Sequence, residues 1–276
     1  PATPSNTARV GGVIMPITTS LAKAFGSEPQ DGPRKIGSFL MQSIYQVNTI
    51  TSAMFQTSMA GNTLVAALAL QSFGIGITWG DWAMAAIVPG IIALIIMPYF
   101  IYKVYPPEIK DAREAQQMIR EELKGLGKMS FQEWVMLGVF VLALVLWATS
   151  QFTKIDATTV AFLGISILLA TSVLVWDDVK SEKGAWDTLV WMGTLMGFAG
   201  FLSKLGFIKW ATVLVGGYIP EGSWIIAFVI AVLINTYSHY VFASLTAHIS
   251  AMFVAFSAIA ISAGAPPMLT LLMIAF

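Results

Sequence analysis

Residues 239–256 read HYVFASLTAHISAMFVAF, and residues 5–17 read SNTARVGGVIMPI. The two stretches share one pattern. Ser5-Asn6-Thr7-Ala8-Arg9-Val10-Gly11 and Ser244-Leu245-Thr246-Ala247-His248-Ile249-Ser250 each run Ser-x-Thr-Ala. A residue able to carry positive charge follows, then a β-branched one, then a small one. Each motif leads into an apolar arm, GVIMPI after the first and AMFVAF after the second. A polar motif between apolar arms constrains the fold. Non-helical backbone at membrane depth persists only where protein buries it or where it lines a wet cavity. A hairpin tip followed by a helix start offers free N–H groups and the positive end of the helix dipole. With hydroxyl donors added, that is an anion cradle. Backbone carbonyls and Asn or Ser oxygens at such a break can also hold a cation.

Composition places the motifs in a membrane. The 276 residues are 57% hydrophobic and 11% charged, with mean hydropathy +0.75. Soluble domains carry about 25% charged residues. Fifteen basic and fifteen acidic side chains cancel, so charge points to no nucleic-acid partner. The absence of cysteine excludes disulfides and thiolate chemistry, and two histidines leave little for a metal cluster. The nine residues after Pro266-Pro267 reach only about 14 Å as helix, short of a span. The expectation is therefore an interior portion of a larger protein.

Along the chain, 18–37 reads as a polar loop. Segment 38–58 is uncharged and long enough to span, yet carries three Gln, one Asn and several hydroxyls; such a helix lines a cavity rather than facing lipid. It leads into TSMAGN at 57–62 and a shorter apolar run, a pattern that predicts a discontinuous helix broken at Gly61-Asn62. Gln42, Gln46, Asn48 and Asn235 read as interhelical hydrogen-bonding groups. Spans are expected at 82–102 (with Pro89 and Pro98 as kinks), 131–149, 157–176 and 186–203. The charged segment 103–130 contains a helix outside the membrane. The stretch 223–263 is long enough for two passes or one re-entrant hairpin. With loops 18–37, 103–130 and 177–185 on one side, that side holds eleven Lys and Arg and the other holds three. The richer side is expected to be cytoplasmic. The two motifs are then approached from opposite faces, as in an inverted repeat.

At these residues the chain resembles the divalent anion:sodium symporter family of di- and tricarboxylate carriers. PSNTAR at 4–9 and ASLTAH at 243–248 fall at its two signatures, and TSMAGN at its first broken helix. YPPE at 105–108, EW at 133–134 and SEKGAWDTL at 181–189 are similar to its branch of 2-oxoglutarate/malate translocators and citrate/succinate antiporters. The resemblance covers essentially the whole chain. It implies an all-α integral membrane fold of inverted repeats with re-entrant hairpins and broken helices, in a homodimer that works like an elevator. The implied parts are a transport part at 1–75, scaffold spans at 76–185 and a second transport part at 186–276. It implies a bacterial inner membrane or a plastid inner envelope.

The resemblance also implies the site: Ser5, Asn6, Thr7, Arg9, Asn62, Ser244, Thr246 and His248 for substrate, and Ser5, Asn6 and Gly61 for a Na⁺ ion. Two departures matter. Leu245 stands where sodium-coupled members carry Asn, which argues against a second Na⁺. Gly61 stands where they carry Pro. No cofactor is expected.

Charge bookkeeping then points to a mechanism. An unpaired charge at the bilayer centre costs roughly 2.5–3.5 kcal/mol on insertion scales. A symporter neutralises its dicarboxylate with Na⁺ and returns empty. A carrier with a built-in Arg9 cannot shed its charge, so its empty site is the unfavourable one to move, and exchange follows. Malate, succinate, 2-oxoglutarate and citrate are all admissible substrates. The alternatives are Na⁺-coupled symport, for which Ser5-Asn6-Thr7 is intact, and an anion channel. An enzyme is not expected, since no HExxH, GxSxG or P-loop occurs.

Overall fold

The computed structural model describes residues 6, 9–109, 127–206, 210, 213, 224–242 and 245–276. Among these residues every regular element is helical. Four stretches are long and apolar enough to cross a membrane: Trp79–Val104, Phe131–Ala148, Trp224–Val241 and Leu245–Ser262. The chain is an all-α, multi-pass integral membrane protein. Its residues form two compact units, Pro1–Met59 with Ala86–Ala148 and Ile155–Val173, and Ala60–Ala85 with Thr149–Lys154 and Leu174–Phe276.

In the first unit a π-helical turn, Arg9–Ile14, runs straight into α1, Met15–Ala24. Pro16 falls at the second residue of α1, just past the point where the π turn passes into the α-helix. The helix ends on Gly26, which takes the left-handed conformation at φ 61°. Ser27 N–H donates to Ala22 O at 2.9 Å and Gly26 N–H to Lys23 O at 2.8 Å, closing the carbonyls that a helix end leaves open. The expected loop at 18–37 is thus helical as far as Ala24. Thr18 and Ser20 do not break it, because Thr18 turns its hydroxyl back to Ile14 O at 2.8 Å. The true loop is short and tied together by Ser27. Its buried hydroxyl donates to Gly32 O at 2.8 Å and accepts from Gly37 N–H at 2.9 Å.

α2, Gly37–Met54, packs on α1. It stops where Phe55 turns extended (φ −134°, ψ 137°). Gln56–Ser58 then make one 3₁₀ turn, and Met59 is extended again (φ −155°, ψ 156°). The break expected at Gly61-Asn62 lies here instead, at 55–59. Gly61 and Asn62 sit buried in the first turn of the following helix. Turn-forming residue types mark this break by proximity only; the extended residues are Phe55 and Met59.

α4, Trp79–Val104, carries both Pro89 and Pro98 inside it. Gly90 lies against Met54, and a Cβ there would meet the Met54 side chain at 2.6 Å. Farther on, Arg34 stacks over the Tyr105 ring at 4.6 Å. Glu108 and Ile109 N–H donate to Arg34 and Lys35 O at 3.1 and 3.0 Å, fastening that end to the 25–37 loop. The charged helix expected within 103–130 lies largely outside the described residues. α5, Phe131–Ala148, and α6, Ala157–Ala170, form a packed pair. Trp147 Nε1 donates to Ala157 O at 3.1 Å, and Asp156 caps α6 by accepting from Thr158 N–H at 2.8 Å. α6 is shorter than the span expected at 157–176. It ends where Ser172 enters the left-handed region at φ 56°.

The second unit is built around α3, Ala60–Phe73, whose Leu64, Val65, Leu68 and Ala69 are fully buried. α7 (Trp176–Ser181) and α8 (Lys183–Lys204) follow in sequence. α9 (Trp224–Ser238) continues as a 3₁₀ turn, His239–Val241. The returning limb begins with α10 (Leu245–His248), widens into a π turn (Ile249–Phe253) and continues as α11 (Val254–Ser262). Gly264 at φ 97° turns the chain into α12, Pro267–Ala275. α9 and α11 pack on each other, and α3 touches α8, α10, the π turn, α11 and α12. A third of the window Leu245–Ser262 is buried, against 6–11% for the other three spans. That limb is therefore the most interior of the four, whereas the described residues leave most of the others' apolar surface uncovered.

Candidate functional site

Each motif copy leads into the same local structure. Arg9 starts a π turn that becomes α1; His248 immediately precedes a π turn that becomes α11. π turns are rare and concentrate at functional sites. Finding one after each copy gives the sequence repeat a structural counterpart.

In the first unit Arg9 is the organising side chain. Its Nε donates to Asn48 Oδ1 at 3.0 Å, Nη2 to Ser52 Oγ at 2.6 Å and Nη1 to Ser58 O at 3.3 Å. Asn48 and Ser52 are four residues apart on α2, hence on one face. Ser52 sends its own proton to Asn48 O at 2.6 Å, which leaves its lone pair for the arginine. Ser58 O belongs to the 3₁₀ turn in the break. The guanidinium therefore lies across the C-terminal end of α2, where a helix presents open carbonyls and favours a cation. These three oxygens are uncharged and orient the guanidinium. Ser58 is 0% exposed, and among the described residues its own hydroxyl has no hydrogen-bond partner. Asn6 is half-buried in this unit, while Ser5 and Thr7 lie outside the described residues.

In the second unit His248 is 4% exposed. Its Nε2 is 2.9 Å from Ser238 Oγ, and the Ser238 hydroxyl donates to Asn235 O at 2.9 Å. A hydroxyl has one proton. The Ser238 hydroxyl can turn to Asn235 O or to His248 Nε2, so the direction of that contact follows the imidazole tautomer. The His248 ring meets Phe242 at 5.1 Å and His239 at 5.2 Å between centroids, the latter edge-to-face at 87°. Thr246 is half-buried in the same short helix, and its carbonyl accepts from Ser250 Oγ at 2.8 Å. Asn62, 1% exposed, comes from α3, which packs on α10 and the π turn. Ser244 lies outside the described residues.

Of the expected site residues, the structure gathers Asn62, Thr246 and His248 onto touching elements of the second unit. Asn6 and Arg9 belong to the first. The expected Na⁺ set is divided likewise, with Asn6 in the first unit and Gly61 in the second. The interhelical role expected of Asn48 and Asn235 is borne out, Asn235 Nδ2 donating to Ile274 O at 3.1 Å. Sequence reasoning missed Ser52, Ser58, Ser238 and His239. The spacing Asn48-x₃-Ser52 was the available signal for the first of these. Among the described residues no group of three or more His, Cys, Asp or Glu could hold a metal.

The family described as the sodium:sulfate symporter transmembrane region matches residues 1–276. Among curated proteins the chain is 51% identical over 277 residues to YflS of Bacillus subtilis, named as a candidate malate transporter. It is 43% identical over 281 residues to the chloroplastic dicarboxylate transporter 1 of Spinacia oleracea, and 43% identical over 277 to the inner membrane protein YbhI of Escherichia coli. All of this chain is covered in each case, but only 58%, 49% and 58% of those proteins respectively. The chain thus spans about half the length of these relatives.

Proposed function

The chain belongs to the sodium:sulfate symporter transmembrane-region family, and on that premise we propose that the full-length protein exchanges di- or tricarboxylates across a membrane. The names of the relatives support a carboxylate substrate. The observation that carries exchange is Arg9, held by Asn48, Ser52 and the Ser58 carbonyl at the broken helix. Its positive charge is built in and travels with the site. A bound dicarboxylate takes the single charge of Arg9 to −1, and in the exchange reading the helix-dipole and hydroxyl donors of the cradle offset the remainder. The empty site keeps its charge and pays the bilayer penalty. In the second unit His248 and Thr246 are further polar groups of the second copy, and Asn62 stands on the helix that packs against them.

The elevator motion and the homodimer belong to this proposal through the family resemblance. Na⁺-coupled symport is the second reading, favoured by the intact Ser5-Asn6-Thr7. The test of substrate class is counterflow of labelled malate by the full-length protein in proteoliposomes. Liposomes are preloaded in turn with malate, succinate, 2-oxoglutarate, citrate or tartrate. Trans-stimulation by at least one carboxylate is expected. Stimulation by none of them overturns the proposal, and unitary currents in place of counterflow indicate a channel.

A further inference from the structure

We propose that the end of α4 binds an anionic phospholipid, whose headgroup is held by Arg34 and Lys103 and whose acyl chains lie along the exposed face of that helix. The site needs only the membrane placement of α4 and is independent of the exchange reading. α4 supplies the apolar wall. Ile92, Ile96, Tyr99 and Lys103 follow one another at steps of four, three and four residues, so they form one stripe along the helix. Its three uncharged members are each more than half exposed. The stripe therefore runs along apolar surface and finishes on a cation. Tyr99, Tyr102 and Tyr105 recur at three-residue steps around the helix end, as an interfacial aromatic belt does. That belt sets this end at the depth of lipid headgroups.

The two cations here have no counter-ion within the described protein. Lys103 turns back along its helix, with Nζ 5.5 Å from the Tyr99 ring centroid. Arg34 stacks over the Tyr105 ring at 4.6 Å. Among the described residues neither side chain forms an ion pair or donates a hydrogen bond. Glu28, Asp31 and Glu108, the acidic groups of the segments that meet here, are all exposed. Backbone bonds from Glu108 and Ile109 N–H to the Arg34 and Lys35 carbonyls hold Arg34 to the end of α4. Stacking occupies the face of the guanidinium and leaves its edge donors open, the edge that a phosphate engages. A soluble anion would leave the apolar stripe bare, and a lipid without net charge would leave both cations unbalanced. An anionic phospholipid satisfies both. This end also belongs to the side that the Lys and Arg count expects to be cytoplasmic, where anionic lipids gather basic side chains.

Native mass spectrometry reads the lipid retained by the full-length protein after reconstitution in an equal mixture of phosphatidylglycerol and phosphatidylcholine. Arg34→Gln and Lys103→Gln should each lower phosphatidylglycerol retention about fivefold, the weight of one Lys or Arg at an anionic surface. Tyr99→Leu and Tyr105→Leu keep every charge but remove the rings on which the cations rest, and should lower it as well. Lys180→Gln makes the same change of charge at a lysine already paired with Asp177 at 2.7 Å, and should leave retention as it was. If Arg34→Gln does not fold, Lys103→Gln at its exposed position carries the test. Equal losses in Lys103→Gln and Lys180→Gln would mean diffuse attraction to surface charge and overturn the site. Unchanged retention in Lys103→Gln would overturn it too, as when another part of the full-length protein covers this face.

Discussion

The two copies of the Ser-x-Thr-Ala motif differ more in their charge than in their backbone. Both lead through a π turn into an α-helix. The first copy carries Arg9, whose charge is permanent and whose partners include two side-chain oxygens and a carbonyl at a broken helix. The second carries the buried His248, whose neighbours include the Ser238 hydroxyl and the rings of His239 and Phe242. The difference teaches how one scaffold can be duplicated and its electrostatics divided. On the proposed reading the first copy supplies a constant counter-charge, and the second supplies buried polar groups.

Breaking the constant half should have the largest effect. Arg9→Ala should lower exchange by about 100-fold or more, because it removes three charge-assisted bonds together with the counter-ion. Arg9→Lys should rescue only partly, since an ammonium cannot span the fork to Asn48, Ser52 and Ser58 O. Counterflow rates normalised to protein level check both. Loosening that half comes next. Ser52→Ala leaves the guanidinium in place but takes away its 2.6 Å partner. It should cost about 1.5–3 kcal/mol of stability, the range for a hydrogen bond to a charged group, read as a lower melting midpoint in detergent. Exchange should fall about tenfold. The matching change in the second copy is milder. Ser238→Ala removes a neutral hydroxyl, costs about 1 kcal/mol, and should alter exchange less than Ser52→Ala at any one pH. If the two serine variants prove equally damaging, the division between the copies is wrong. The smallest effect sharpens rather than breaks the comparison. Leu245→Asn restores the Ser-Asn-Thr form at an exposed position. It should leave the exchange rate within about twofold while introducing a modest stimulation by Na⁺. No response to Na⁺ at any concentration would mean that Leu245 is not what separates the second copy from a cation site.

Much of this was legible from residue types alone, because burial in lipid imposes a coarse rule. Long apolar runs became helices at Trp79–Val104 and Phe131–Ala148, close to where composition placed them. Local polarity misled in two places. The hydroxyls of Thr18–Ser20 read as a loop, yet in helices such groups bond back to their own carbonyls, as Thr18 does. Gly61-Asn62 read as the break, yet both pack inside a helix, and the extended residues are the apolar Phe55 and Met59. Tertiary contacts, not turn propensity, decided that boundary. The Arg9 cluster was half legible. Arg9 stood out for its motif, but Ser52 and Ser58 matter only because the chain returns to them 43 and 49 residues later. His239 was invisible for a similar reason. Its pairing with His248 depends on the 3₁₀ turn bringing two short elements together.

The central claim is that a permanent positive charge at the first copy makes the carrier an exchanger. It is tested most directly by comparing labelled dicarboxylate uptake into loaded and empty proteoliposomes, with and without an inward Na⁺ gradient. The account predicts uptake only into vesicles that already contain a dicarboxylate, at the same rate with or without Na⁺. Equal uptake into empty vesicles, driven by Na⁺, would contradict it.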